Sequence, residues 1–263
     1  MIHAITVRRR RDHEITVVLA RHGIIAATVY GGEILRQLMR ILVESDPKSA
    51  PDLLDEAWDH PATFALLPAK TPVSEEWVRT GLDQLPESLR ENHFALLSSG
   101  STGRPVLVVG SRQRAVELVR VLHRHQRSEP VQETPLLLPL SYCYAFVNQW
   151  LWARVHDRRL ITAGGLSYPG VLEKTLRNAQ DAMLCLVGAQ IPLLIRSFDG
   201  SSFPTVIRLH FAGGPFPGQH LDAIRTLFPN AKVFNNYGCV EAMPRLTIRA
   251  VKGNLDPSDI GHP

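Results

Sequence analysis

Residues 183–215 read MLCLVGAQIPLLIRSFDGSSFPTVIRLHFAGGP. Two near-continuous apolar runs, Met183 to Val187 and Val206 to Phe211, each end on glycine, and a helix-length apolar segment near 190–197 separates them. Strands without polar alternation are buried on both faces, which is the habit of parallel sheets covered by helices. The pattern continues outward. Further strand candidates are Pro135 to Leu140, Leu160 to Thr162 and Lys232 to Phe234, and helix candidates lie near 144–154, 169–179 and 217–228. The expected fold is therefore α/β, with mainly parallel sheets covered by helices.

Upstream, Phe94 to Leu97 and Val106 to Val109 flank a polar turn, which predicts strand, loop, strand. Ser111 then N-caps a helix with Ala115, Leu118, Val119 and Leu122 on one face and Arg112, Arg114, Arg120 and Arg124 elsewhere. The first ninety residues differ in texture. Ile15 to Ala20 and Ile24 to Val29 suit short buried strands, Gly31-Gly32 marks a break, and Glu33 to Glu44 places Ile34, Leu38, Ile41 and Leu42 at helical spacing. This divides the chain into a lead-in α/β region, 1–91, and a core, 92–263.

With 263 residues, 44% hydrophobic and 21% charged, the chain can bury a large core, which excludes disordered and fibrous classes. The net charge of +4 is too small to imply nucleic acid. Pro139, Ser141, Asn148 and Gln149 interrupt the longest apolar stretch, so no membrane span is expected. Arg8 to Arg11 precede an apolar run that Arg21 and His22 cut short, with no cleavage site after it; no signal peptide is expected, and the arginines suit a solvated arm. Cys143, Cys185 and Cys239 are odd in number, without zinc-ligand spacing, so reduced thiols in a cytoplasmic protein are expected. His123 and His125, two apart, share no helix face and read as surface groups. Trp150 and Trp152 read as core, whereas Phe146 is the aromatic assigned to a ligand pocket.

Three segments carry chemistry. Ser98-Ser99-Gly100-Ser101-Thr102-Gly103-Arg104-Pro105 supplies backbone N–H groups, hydroxyls and two conformationally free glycines, a set suited to a polyphosphate. It is not a Walker A loop, because the Gly-Lys-Ser/Thr ending is missing. Asn235-Asn236-Tyr237-Gly238-Cys239-Val240-Glu241 follows a strand candidate: Tyr237 offers a ring to a nucleobase, Gly238 permits close backbone approach, and Glu241 could ligate Mg²⁺. Gly213-Gly214-Pro215 ends another strand, where missing side chains leave room for a ligand plane. Taken singly, each segment also reads as an ordinary turn.

In this order the three segments resemble the adenylate-forming superfamily of acyl-CoA synthetases, amino-acid and aryl-acid adenylation domains, and luciferases. The resemblance covers roughly residues 92–263 and implies ATP and Mg²⁺ as cofactors. It implies a phosphate-binding loop over Ser98, Ser99, Gly100, Ser101, Thr102 and Gly103, with Thr102 and Glu241 catalytic and Glu241 on the metal. It implies adenine contacts at Gly213, Gly214, Pro215, Asn235, Asn236, Tyr237 and Gly238. The segment Pro139 to Phe146 is similar to the family's acid-pocket border, giving Tyr142, Tyr144, Phe146, Gly188 and Met243 as pocket residues. The implied activity is transfer of AMP to a small carboxylic acid, followed by transfer of the acyl group to coenzyme A or a carrier-protein phosphopantetheine.

Three positions depart from the family pattern. Val106 stands where a lysine follows the loop proline, Val240 where a threonine precedes the glutamate, and Tyr142 where a histidine is frequent. Loss of a charge-assisted bond of this kind costs about 1.5–3 kcal/mol. The family also continues past the position of Pro263 into a lid domain, so the resemblance implies an N-terminal large domain cut short. The alternatives are a non-catalytic nucleotide-binding or partner-binding relative of the same fold and, more remotely, a nucleic-acid or anionic-surface binder that uses the basic helix and the arginine run.

Overall fold

A computed structural model describes residues 3–8, 14–20, 23–27, 40–98, 105–162 and 164–251, the first three stretches as backbone alone. Strands β1 (His3–Arg8), β2 (Glu14–Ala20) and β3 (Gly23–Ala27) pair antiparallel in that order.

The second sheet contains β4 (Ile41–Glu44), β5 (Phe64–Pro68), β6 (His93–Ser98) and β7 (Val106–Ser111) in sequence order. The first three are parallel, joined through helices α1 (Ala50–Asp59) and α2 (Glu75–Asp83), and β7 turns back antiparallel on β6. The sequence division at 91/92 thus falls between the paired strands β5 and β6.

The third sheet comprises β8 (Glu133–Leu136), β9 (Arg159–Thr162), β10 (Ala182–Val187), β11 (Val206–Ala212), β12 (Lys232–Tyr237) and β13 (Thr247–Ala250), ordered β13-β12-β11-β10-β8-β9. All its pairings are parallel except the edge pair β12–β13. Helices α3 (Arg112–His125), α4 (residues 143–155), α5 (Pro169–Asn178), α6 (Ile191–Ser197) and α7 (Leu221–Leu227) complete the α/β architecture.

Helices α3 and α4 fill the layer between the second and third sheets. One core joins Leu66, Phe94 and Leu96 to Val119 of α3, Phe146 and Trp150 of α4, and Met183 and Cys185 of β10. A second core, on the other side of the third sheet, packs Leu172, Leu194 and Ile224 against Leu209 and Phe211. Burial on both faces explains why β10 is apolar throughout, whereas β11 places buried Arg208 and His210 on one face and Leu209 and Phe211 on the other. In α4 the turn Phe146–Leu151 is π-helical, and all six of its residues are buried. No described helix is long and apolar enough to cross a membrane.

Arg112, read as part of a basic face, is instead a buried clamp. Its guanidinium donates to the carbonyls of Trp58, His60, Ala62 and His93 at 2.6–3.2 Å. Burial pulls its pKa down to about 10, against the pull of Asp59, so it remains charged while tying α1 to β6. Ser111 caps α3 as expected, accepting from Arg114 N–H.

Three local expectations are corrected. Residues 41–44 form a strand, not the end of a helix: Leu42 and Glu44 face inward between partly covered Ile41 and Val43, so an apolar run concealed a period of two. The strand expected over Pro135 to Leu140 stops at Leu136, because the backbone N–H groups of Leu140 and Ser141 turn to Glu44. His123 is buried, not at the surface. Its Nδ1 accepts from Trp152 Nε1 at 3.2 Å, its ring stacks on His156 at 3.8 Å, and burial lowers its pKa.

Candidate active site

The carboxyl ends of parallel strands present free backbone groups and glycine turns, where α/β proteins bind ligands. Here β10, β11 and β12 end side by side, at Val187, Ala212 and Tyr237. Gly213 and Gly214 follow β11 with positive φ of 76° and 145°, a backbone that few side chains tolerate. A Cβ on Gly188, after β10, would lie 3.3 Å from Pro215 O, so the two neighbouring turns touch. Gln190 fastens this edge: its Oε1 accepts from Val187 N–H and its Nε2 donates to Leu137 O, each at 3.0 Å.

At the end of β12 the chain folds back on itself. A Cβ on Gly238 would stand 1.6 Å from Pro244 O, so no larger residue fits there. Asn236 is buried and donates to Phe211 O at 2.9 Å and to Tyr144 Oη at 3.1 Å. Tyr237, next along the strand, faces outward and is 51% exposed. Met243, in the left-handed region at φ 49°, sets its sulfur against Gly110 of β7, where a Cβ would come within 2.6 Å of it. This contact seats the turn Val240–Ala242 against the β6–β7 hairpin of the other sheet.

The seating brings Glu241 to Ser98, the last residue of β6. The carboxyl of Glu241 is held below its ordinary pKa by its own backbone N–H, the Cys239 thiol and the Ser98 hydroxyl. It is an exposed carboxylate ready for a cation at neutral pH. Cys143 lies beneath, its Sγ 4.0 Å from Val240 O, and burial, with Cys239 and Glu241 nearby, pushes its thiol up to about 12. Among the described residues no group of three or more His, Cys, Asp or Glu could hold a metal. A Mg²⁺ ion here would therefore take one protein carboxylate and complete its shell with phosphate and water oxygens, which suits a small hard cation.

Ser98 and Val106 form the last pair of the hairpin. The expectations for Ser99, Gly100, Ser101, Thr102 and Gly103 lie outside the described residues. Val106, where the resemblance implies lysine, is 48% exposed.

The expected acid-pocket residues separate. Tyr142 is exposed and borders a cleft of about 750 Å³ with Glu44, Lys70, Pro139, Gly165 and Gln190. Tyr144 turns inward to Asn236, and burial drives its pKa well up. Phe146 is fully buried, 4.7 Å from Phe94 and 4.9 Å from Trp150. Gly188 and Met243 occupy the close contacts described above.

Glu44 escaped sequence reading. Buried at the end of β4, its carboxylate accepts from Leu140 N–H at 2.7 Å and Ser141 N–H at 2.8 Å, which fixes the backbone entering Tyr142. A charge closing an otherwise apolar strand was its one signal.

No curated protein matches the chain in sequence. Solved structures match in fold. The crystal structure of VinN is 19% identical with a TM-score of 0.56, over 88% of this chain and 57% of VinN. O-succinylbenzoate coenzyme A synthetase from Bacillus subtilis is 12% identical at 0.60, over 80% of this chain and 50% of its own. ATP-bound MatB from Rhodopseudomonas palustris is 16% identical at 0.56, over 90% and 48%. The chain thus spans about half the length of these relatives. The sequence profile described as AMP-binding enzyme matches residues 11–263, nearly the whole chain and the ends of β10, β11 and β12 among them, and on that match the chain belongs to the AMP-binding enzyme family.

Proposed function

We propose that this chain forms the nucleotide- and acid-binding part of an enzyme that uses ATP to convert a carboxylic acid to its acyl-adenylate, for passage to the thiol of coenzyme A or a carrier protein. The observation that carries the proposal is the meeting of Glu241, from the third sheet, with Ser98, from the second. It sets the carboxylate beside Ser98, the first residue of the hydroxyl- and glycine-rich segment 98–105, in the turn that follows β12.

The chain's own residues divide the work. Tyr237 offers a ring face to adenine, and Gly213, Gly214 and Pro215 leave room for its plane. Asn236 holds the strand end in position from behind. Ser98 and the following loop, Thr102 included, take the phosphates, and Glu241 holds Mg²⁺, whose charge would offset that developing on the pyrophosphate leaving group. The acid lies along the segment bordered by Tyr142, which Glu44 fixes. A carboxylate attacking the α-phosphorus needs alignment and charge neutralisation, not a side-chain nucleophile.

Acid-dependent ATP–pyrophosphate exchange, measured over fatty, aryl and amino acids, tests this reading and identifies the acid class. The exposed Val106, in place of a phosphate-facing cation, favours a second reading, a nucleotide-binding protein without turnover. ATP binding with no exchange for any acid would support that instead.

A further inference from the structure

The cleft of about 750 Å³ beside Tyr142 lies where two sheets present strand ends together. Glu44 and Pro68 close β4 and β5 of the second sheet, Leu136 and Thr162 close β8 and β9 of the third, and all four residues border it. The carboxyl ends of parallel strands are where α/β proteins bind ligands, and the volume is that of a small-molecule site. The cleft also adjoins the candidate active site. Gln190, one of its lining residues, accepts from Val187 N–H at the end of β10.

The walls are mostly apolar, with Leu137, Leu138, Pro139, Leu166 and Leu193 among them. The polar side chains within the lining are largely engaged already. Gln190 uses both ends of its amide, on Val187 N–H and Leu137 O. Glu44 is the one carboxylate in the lining; it is buried, and each of its oxygens accepts a backbone N–H, from Leu140 and from Ser141. Lys70 is the one cation there, and it stands exposed.

An α-ammonium drawn into such a cleft leaves water and needs a carboxylate in exchange, and the only one present is committed to the backbone. A hydrocarbon chain needs no partner beyond the apolar walls. Resting on the reading that the chain activates a carboxylic acid, we propose that the acid is an aliphatic one of extended chain without an α-amine, and that its chain lies in this cleft, against Leu193 of α6.

Calorimetric titration of the full chain with butanoic, hexanoic, octanoic and decanoic acids, in the presence of AMP, tests the proposal. Affinity is expected to rise about three- to fourfold per added methylene. 2-Aminodecanoic acid, the same chain with an ammonium, should bind at least about tenfold more weakly than decanoic acid. Leu193 is 38% exposed, so Leu193→Asp should fold, and by placing a charge on the wall it should flatten the series. A flat series in the parent, equal affinity for decanoic and 2-aminodecanoic acids, a series unmoved by Leu193→Asp, or tighter binding of decanedioic acid, which would give Lys70 the leading part, overturns the proposal. ATP–pyrophosphate exchange separates it from the reading beneath. Exchange without preference for chain length removes the apolar cleft alone, whereas a binding series with no exchange for any acid keeps the cleft and removes acyl-adenylate formation.

Discussion

The two sides of β12 carry residues from one short motif but do opposite things. In front, Tyr237 and Glu241 are exposed, and Glu241 bonds to its own backbone N–H, Cys239 and Ser98. Behind, Asn236 is buried and joined to β11 and α4, with Arg245 and His210 packed beyond it. A strand alternates its side chains between faces, so Asn236 and Tyr237, adjacent in sequence, cannot share a role. Substitutions in front are therefore expected to cost little stability, and those behind to cost more.

Gly238, where the two sides join, should show the largest effect. Gly238→Ala forces a Cβ onto Pro244 O and is expected to cost more than about 4 kcal/mol in urea unfolding; a small cost would mean that the turn is free to move. Glu241→Ala, on the front, should abolish Mg²⁺-dependent ATP binding in calorimetry with an unchanged unfolding midpoint. Retained binding removes the metal assignment. Asn236→Ala, on the back, should cost about 1–3 kcal/mol by stranding Phe211 O and Tyr144 Oη, and equal losses of stability for Asn236→Ala and Tyr237→Ala would erase the distinction between faces.

Acid should act through the back. Burial first, then Arg245 and Arg208, keep His210 well below its ordinary value of 6.5. His123 and His156 are also lowered, chiefly by burial. Below that pH the unfolded chain takes up protons that the folded chain refuses. Stability is therefore full above about pH 6.5 and declines as the pH falls beneath it. Unfolding midpoints from pH 8 to pH 5 should follow that direction, and a flat profile would place these imidazoles in water. The smallest effect is expected at Tyr237→Ala, with stability within about 0.5 kcal/mol of the parent and weaker nucleotide binding.

The same contrast governs what could be read beforehand. The strand of 182–187 was legible because burial on both faces produces an apolar run, those of 206–212 and 232–237 through shorter apolar stretches, and the ends of all three because glycines punctuate them. The exposed groups of the motif were legible as chemistry. What stayed hidden depends on partners far along the chain. Arg245 meets Asn148 across 97 positions and Glu44 meets Leu140 across 96, and no local pattern marks either. Strand β4 was misread because Ile41-Leu42-Val43 is apolar throughout, so spacing alone could not separate a period of two from 3.6. His123 reads as a surface group from its spacing to His125, because its bond to Trp152, 29 positions away, leaves no local mark.

The π-helical turn Phe146–Leu151 has a bearing on how the chain tolerates length changes. A turn closed by i→i+5 bonds holds one residue more than an α-turn, so this stretch behaves as a one-residue insertion absorbed within a helix. Removing a single residue there would return the stretch to regular α-helical turns and leave the residues on either side in phase. Trp152, beyond the bulge, would keep its place against His123, and the loss would fall on one buried side chain of the turn. A one-residue deletion is therefore tolerated better here than elsewhere in the helix, because the end that reaches Asn236 and the end that closes the core keep their relative orientation.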